Sequence, residues 1–524
     1  MTLLSDTVAP APGAEPVYFT RRRPIHGITE RGPDLLPLEP GEQYRFTFAM
    51  DACVGCHSCE VACAEQNDTP VDAAWRRVGE LEAGVFPDTR RFTLSMACNH
   101  CLEPTCLSGC PTNAYEKLGN GLVVHSADEC VGCEYCIWNC PYEVPVFNQA
   151  QRIVSKCDMC RPRLEMGQSP ACVLACPTEA IGVEPVNVAA WREEHTEADA
   201  PGLPPASITL STTRIIVPAD APAEMVAANA HRVRPEKPHW PLIVLTLLTQ
   251  LSLGTVATAV LLDLSNAGLG ARRTLTGAAV AAFVAGGVAL AASLFHLGRP
   301  DRALKALRNL KTSWLSREVA LFSAFSLLSF AFAASWLSPT RFLPGRPLGV
   351  AAALLGAAGV YASARLYLVP ARPVWNSKRT PLTFFATVAA TGPLLALLCL
   401  NRSQLEPAWI VALMALSAAG CLTQMAVHLH LLTTTKRKTD PQHQGTGELM
   451  RNRFRMLAHA RLAAAAFGVA CLAWATTSPL SGPETGGRLA GALLIVACGE
   501  LIGRYLFYVT VVPYRTAGSF FNRR

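Results

Sequence analysis

Residues 53–63 read CVGCHSCEVAC and space four cysteines at Cys53, Cys56, Cys59 and Cys63. Residues 130–141, CVGCEYCIWNCP, repeat that spacing at Cys130, Cys133, Cys136 and Cys140. CNHCLEPTCLSGCP (98–111) widens one gap, giving Cys98, Cys101, Cys106 and Cys110. CDMCRPRLEMGQSPACVLACP (157–177) widens it much further, at Cys157, Cys160, Cys172 and Cys176. Three cysteines so spaced fold around one face of an iron–sulfur cubane, while the fourth, with its following Pro, points toward a second cluster. Thiolates are soft ligands that suit such clusters. A structural zinc site pairs two C-x-x-C knuckles and lacks the repeated x-x-C-x-x-x-C-P tail. Four groups of four therefore predict four [4Fe–4S] clusters. The other four of the 20 cysteines (Cys399, Cys421, Cys471, Cys498) lie in apolar segments and read as small buried hydrophobes.

Outward from the cysteines the chain splits in two. Residues 1–238 hold 19 Lys/Arg against 31 Asp/Glu, and residues 239–524 hold 27 against 8, so the formal net charge of +7 conceals an acidic half and a basic one. The basic charge lies in short loops between apolar runs, which gives no ground for nucleic-acid binding. Eight apolar segments follow Pro241, at 241–262, 275–295, 319–337, 348–369, 382–400, 408–432, 458–477 and 489–512. Each approaches the roughly 20 residues that a membrane-spanning helix needs. A soluble protein with eight such buried helices is the weaker reading.

The expected organisation is a flexible arm at 1–43, a cluster domain at 44–188, a Pro/Ala-rich linker at 189–238, an eight-helix membrane domain at 239–514 and a tail at 515–524. Arg21-Arg22-Arg23 is followed by PIHGITERGPD rather than an apolar run, so no export leader is expected. The loops on the N-terminal side of the spans carry 21 Lys/Arg. Those on the other side carry Arg272, Arg273, Arg341, Arg346 and Arg402. The positive-inside bias predicts both termini and the cluster domain in the cytoplasm, and a reducing compartment suits cysteines meant for metal.

The order of the cysteine groups, the CNHC opening of the second, and KCDMC with its long following gap resemble the four-cluster iron–sulfur subunits of dimethyl sulfoxide reductase-type molybdoenzymes, over about residues 44–188. The resemblance implies an α+β fold of the double bacterial-ferredoxin type and ligands that cross between groups. Cys53, Cys56 and Cys59 would share a cluster with Cys176, and Cys63 would join Cys157, Cys160 and Cys172. Cys98, Cys101 and Cys106 would take Cys140, leaving Cys110 with Cys130, Cys133 and Cys136. The first group departs from the pattern by ending in Cys63-Ala64 rather than Cys-Pro.

HLGRP and SWLSRE, the two ends of residues 296–318, resemble the signature of the eight-helix anchor subunits of the same reductases, as do P-x-R-P-x-W-N-S-x-x-T (370–380) and GRYLFY (503–508). This implies an all-α polytopic domain with a quinol site served by His296 and Glu318, and two subunits fused in one chain. Read from the residues alone, the second span ends at His296 and the third begins at Glu318, both at the boundary beneath the cluster domain. An ionisable group there is a functional candidate by default. Quinol oxidation releases two protons with two electrons, and a His/carboxylate pair near water can accept them. Arg365 reaches the same level and can serve the site or merely snorkel.

Arg299, Arg302, Lys305, Arg308 and Lys311 read as topology determinants or contacts for lipid and the acidic domain. Glu500 and Arg504, at i and i+4, read as a buried mutually neutralising pair. His428 and His430 lie two apart and point to different helix faces, so no haem is expected.

The expected function is a fused electron-transfer and anchor subunit in a bacterial inner membrane. It would oxidise menaquinol or ubiquinol and pass electrons to a separate catalytic chain, which the resemblance implies to be molybdopterin-containing. Three alternatives stand beside it. One is a self-contained quinone oxidoreductase fed by ferredoxin. A second, an ion-translocating subunit, would want several deep carboxylates where only Glu500 is deep. The third, a redox sensor or scaffold, would want an output domain.

Overall fold

The computed structural model describes residues 35–222, 224–228, 233–265, 273–337 and 344–514; residues 1–34 of the expected arm and the expected tail at 515–524 lie outside them. The cluster domain is held by long-range strand pairing. Strand Glu42–Ala49 alternates buried and half-buried positions and pairs antiparallel with Ile181–Asn187, from Glu42 opposite Asn187 to Phe48 opposite Ile181. Its other edge takes Arg214–Ile216 in parallel. A hairpin of Arg77–Val85 and Asp88–Met96 accepts Val226–Ala227 on its edge. Two small ladders, Tyr115–Lys117 with Val123–His125 and Val146–Asn148 with Ile153–Ser155, follow the second and third cysteine groups.

Residues 189–238 differ from the linker expected of them. They supply a strand to each three-stranded sheet, and Trp191 is wholly buried and donates its indole N–H to Ser211 O at 2.8 Å. The helix carrying Trp191, Val188–Glu194, begins at Asn187, whose side chain accepts from the N–H groups of Ala189 and Ala190. Pro and Ala mark a stretch without periodicity, yet a single buried indole and two short edge strands are enough to tie it down.

Among the described residues, eight helices are long and apolar enough to cross a membrane. Span 1 is Trp240–Leu264, span 2 Arg273–Leu294, span 3 Trp314–Leu337 and span 4 Gly345–Leu366. Span 5 is Arg379–Cys399, span 6 Pro407–Arg437, span 7 Arg455–Ala475 and span 8 Pro483–Val509. Span 1 is the most deeply buried and packs against spans 2, 4, 5 and 8. Lipid offers helices no hydrophobic gain on meeting, so close fit decides the contact. Spans 3 and 4 show it: Phe322, Phe325 and Phe332 lie over Gly359, Gly356 and Gly349, where an added Cβ would come within 2.8 to 2.9 Å of a ring. Span 3 starts a turn earlier than its apolar run, because Ser313 and Ser316 donate to Gly109 O and Pro111 O of the cluster domain. A short amphipathic helix, Pro441–Arg451, precedes span 7. Arg488, in the first turns of span 8, adds to the Lys/Arg at the end of the bundle away from the cluster domain.

The loop between spans 2 and 3 docks on the cluster domain. Gly298 N donates to Gly132 O at 3.2 Å and Arg299 N to Val131 O at 3.0 Å. Asn309 N and Nδ2 donate to Pro111 O and Cys110 O, and Thr312 Oγ1 to Ser108 O. The basic residues point the same way. Arg299 reaches Ala127 O, Arg302 and Lys305 reach Asp128 O, and Lys305 and Arg308 pair with Glu129. Of the two readings open for Arg299, Arg302, Lys305 and Arg308, contact with the acidic domain is the one seen. Glu129 is solvent-accessible, so these ion pairs are screened and weak. The backbone seam contributes the register.

That seam requires glycine. A Cβ on Gly298 would stand 2.1 Å from Arg152 O, and one on Gly132, at φ +68°, 2.4 Å from the same atom. Gly298→Ala is therefore expected to loosen the seam, raising amide exchange at residues 127–133 and 296–312 while iron content stays normal. Gly487→Ala, where an added Cβ meets nothing, should leave exchange there unchanged.

Candidate functional site

Each C-x-x-C opening makes the same turn. The residue before the second cysteine has positive φ in all four: Gly55 (67°), His100 (45°), Gly132 (68°) and Met159 (62°). The N–H of His100, Gly132 and Met159 donates to the first sulfur of its own group, at 3.5, 3.4 and 3.3 Å. Such N–H···S bonds orient a sulfur and offset its negative charge. His100 and Met159 hold a backbone conformation that favours glycine, which the sequence pattern alone does not announce.

The folded chain brings cysteines from different groups together. Cys53 lies within electrostatic reach of Cys176, and Cys63 within reach of Cys172 and Cys160. Cys101 and Cys106 face Cys140, and all three line one cavity with Cys98. Cys133 and Cys136 face Cys110. Burial pushes the thiols of Cys63 and Cys101 up to about 12 and that of Cys140 up to about 11, with neighbouring cysteines adding to the rise. Crowded buried thiols ionise only against a positive core, as a metal cluster provides. Among the described residues, no three Cys, His, Asp or Glu side chains converge closely enough to hold a single ion. The donor set fits the wider, all-sulfur cradle of a [4Fe–4S] cluster.

Two buried cations sit among the sulfurs. Arg76, 2 % exposed, stands within reach of Cys59, Cys63, Cys157 and Cys172. Lys156, 3 % exposed, approaches Cys98 Sγ at 3.6 Å and also acts on Cys106 and Cys157. Side-chain donors complete the surroundings, with Thr209 Oγ1 3.1 Å from Cys101 Sγ and Asn67 Nδ2 3.7 Å from both Cys63 and Cys160. Only Lys156, next to Cys157 in KCDMC, carried a sequence signal. Arg76 and Thr209 come from stretches distant in the chain.

The membrane-facing end is built on the set Cys110, Cys130, Cys133 and Cys136, whose backbone the 296–318 stretch grips. His296, just past span 2, contacts Cys133 O through Nε2 at 3.1 Å. Burial pushes its imidazole down to about 4, the Cys133 carbonyl opposing. Glu318 is buried in the second turn of span 3 and faces Ser363 without a well-formed hydrogen bond. Arg365, in the last turn of span 4, lies over the Trp314 ring at 5.1 Å, with Nε buried and unpartnered among the described residues.

His296 and Glu318 are linked through aromatic rings. Trp138, from the third cysteine group, is 6.3 Å from the His296 ring and 5.9 Å from Tyr367. Glu318 lies within electrostatic reach of Tyr135, Tyr367 and Tyr508. The Tyr367 and Tyr508 hydroxyls hydrogen-bond each other, and Tyr135 donates to Leu366 O at 2.8 Å. His239, at the mouth of span 1, stands 5.2 Å from His296. Trp375 and Tyr508 belong to the P-x-R-P-x-W-N-S-x-x-T and GRYLFY runs, whereas His239, Trp138 and Tyr367 carry no sequence signal of this role, since aromatic residues at a domain seam have no characteristic spacing.

Deeper in the bundle, Glu500 and Arg504 do not form the direct pair expected of them. Glu500 accepts from Thr387 Oγ1 at 2.6 Å and Gln424 Nε2 at 2.9 Å, while Arg504 donates to Gln250 Oε1 at 2.7 Å. Thr387 touches both. A buried charge is stabilised by hydrogen bonds from several directions, and three facing helices provide them better than one neighbouring turn. His428 is buried and His430 exposed, on different faces of span 6.

Residues 235–509 match the family model described as DMSO reductase anchor subunit (DmsC), and residues 89–185 match a 4Fe-4S dicluster domain. One chain of the anaerobic dimethyl sulfoxide reductase of Haemophilus influenzae is 35 % identical over 177 residues, covering 32 % of this protein and 86 % of that one. The corresponding chain of the Escherichia coli K12 reductase is 35 % identical over 175 residues, with 32 % and 85 % covered. A subunit of the sulfite dehydrogenase of Allochromatium vinosum is 35 % identical over 160 residues, with 26 % and 67 % covered.

The crossed grouping predicts how substitutions pair. Cys106→Ser and Cys140→Ser should abolish the same electron paramagnetic resonance signal, and Cys110→Ser should abolish the one lost in Cys133→Ser. Each should lower bound iron by about a quarter at most. Loss of different signals within a pair would reject the grouping.

Proposed function

The chain belongs to the DMSO reductase anchor subunit (DmsC) family, with a 4Fe-4S domain similar to a second chain of those reductases fused ahead of it, and from this premise we propose that it oxidises membrane quinol for a catalytic partner. The sixteen cysteines would hold four [4Fe–4S] clusters. When bound, these supply a relay of single electrons from the quinol end to a partner subunit that carries molybdopterin. The observation that carries the reading is the seat of His296, its Nε2 3.1 Å from the carbonyl of Cys133.

That contact sets the chemistry of His296. A carbonyl only accepts, so Nε2 carries the hydrogen and Nδ1 keeps its lone pair. Nδ1 then accepts the hydrogen bond of a quinol O–H and, as electrons leave, its proton. Glu318 offers a carboxylate to the second O–H from the neighbouring span. Trp138, Tyr367 and Tyr508 form an apolar, flat-walled setting for the ring and limit water around the transfer. Arg365, stacked over Trp314, steadies the negative charge of a deprotonating quinol. The docking loop holds all of this against Cys110 and Cys133, where electrons must be collected.

The Lys/Arg bias of the loops supports a cluster domain on the cytoplasmic side of the inner membrane. Three of those loop cations also face Asp128 and Glu129 of that domain.

His296→Ala and Glu318→Ala are each expected to slow quinol-driven cluster reduction at least about a hundredfold. Reduction by dithionite and iron content should stay normal. Wild-type rates in both variants would reject the site. In right-side-out vesicles the cluster domain should resist added protease, and cleavage from outside would overturn the orientation.

A further inference from the structure

A second cavity opens between spans 5, 6, 7 and 8, behind the ring wall of the His296 region. It encloses about 70 Å³ of free space and is partly open at one side. One wall is flat and aromatic. Trp375 and Phe507 stack at 5.0 Å with 11° between their planes, and Trp375 Nε1 donates to Phe507 O. Val427, Leu431 and Val511 give the remainder an apolar character.

The polar end is donor-rich. Arg461 NH1 lies 3.2 Å from His428 Nδ1. A guanidinium only donates, so Nδ1 accepts and the hydrogen resides on Nε2. That Nε2–H is buried with no partner among the described residues, and His428 is 1 % exposed. Arg379 NH1 and Arg504 Nε line the same cavity and are likewise unpartnered. Buried donors left unmet are costly and mark a place for an acceptor. Among the described residues, every unmet buried side-chain atom of this lining is a donor, which suits a ligand rich in acceptors. A phosphate is disfavoured by the Glu500 carboxylate in the wall and by the flat aromatic face.

We propose that this cavity is a second site for a membrane quinone in its oxidised form. One ring carbonyl accepts from His428 Nε2–H, the ring lies along Trp375 and Phe507, and the tail leaves between the helices. The contrast with the first site is chemical. His296 Nδ1 and Glu318 offer acceptors and suit the quinol, which brings O–H groups, whereas His428, Arg379 and Arg504 offer donors and suit the quinone, which has none.

The test is equilibrium binding of an oxidised, short-tailed naphthoquinone to the purified full chain in detergent. His428→Leu should weaken this binding about tenfold, the size of one buried hydrogen bond. His428→Gln, which restores an N–H, should recover most of it. Val427→Trp should abolish it by filling the cavity, with iron content and elution volume checking the fold of each variant. His296→Ala should leave it unchanged, so failure of the quinol site and failure of this one read out separately. Unaltered affinity in both His428→Leu and Val427→Trp would overturn the proposal. So would co-purifying phospholipid that is lost in Val427→Trp from a protein that binds no oxidised naphthoquinone.

Discussion

Two glycines touching across a domain boundary set the geometry on which the remaining function rests. Gly132 belongs to a cysteine turn and Gly298 to the loop after the second span, and their backbones meet because neither has a Cβ. The hydrogen bonds on either side tie the loop to the main chain of Val131, Gly132 and Cys133, and Asn309 ties its far end to Cys110 and Pro111. A membrane helix and a metal-binding turn are thereby brought into register by backbone atoms, which do not change rotamer. The ion pairs around Glu129 are auxiliary. They are screened by salt and pay side-chain entropy, whereas the backbone seam is short and fixed.

The chemistry proposed for the boundary rests on that register. An acceptor nitrogen on His296 and a carboxylate on Glu318 flank rings contributed by both halves of the chain: Trp138 from a cysteine group, Tyr367 and Tyr508 from the bundle. A site composed this way exists only when the two halves are seated. Fusion in one chain fixes their ratio at one to one and replaces an encounter between subunits with a local search.

Much of this was legible because its signals are local. Cysteine spacing, runs of about twenty apolar residues, and the polar ends of the 296–318 stretch each declare themselves within a short window. The observed spans differ from those expected by a few residues at their ends, as at span 3, where Ser313 and Ser316 bond to the neighbouring domain. What was hidden is non-local. Trp191 and the strand Arg214–Ile216 lie in a Pro-rich stretch that reads as a linker, because strand pairing with Thr47–Ala49 leaves no trace in three residues of sequence. Arg76 and Arg77 are adjacent and both buried, and nothing in the sequence marks Arg76 for the space between four sulfurs. The hydrogen-bond partners of Glu500 and Arg504, which are buried and within electrostatic reach of each other, were hidden for the same reason. Helical spacing made them neighbours, but Thr387, Gln424 and Gln250 on other spans were the partners that burial required.

The strand Glu42–Ala49 joins the start of the cluster domain to its end, since its two neighbours are Ile181–Asn187 and Arg214–Ile216. During synthesis it waits for more than a hundred residues before either partner exists. All sixteen thiols have by then emerged in a chain that cannot yet close, and such long-range pairing is slow to form. The interval is one of chemical exposure, when oxidation competes with loading of iron. The later partner, Arg214–Ile216, and the edge strand Val226–Ala227 both come shortly before Trp240, so the domain's completion and the first helix's entry into lipid fall close together. Maturation of the metal half and insertion of the membrane half are thus events on one clock.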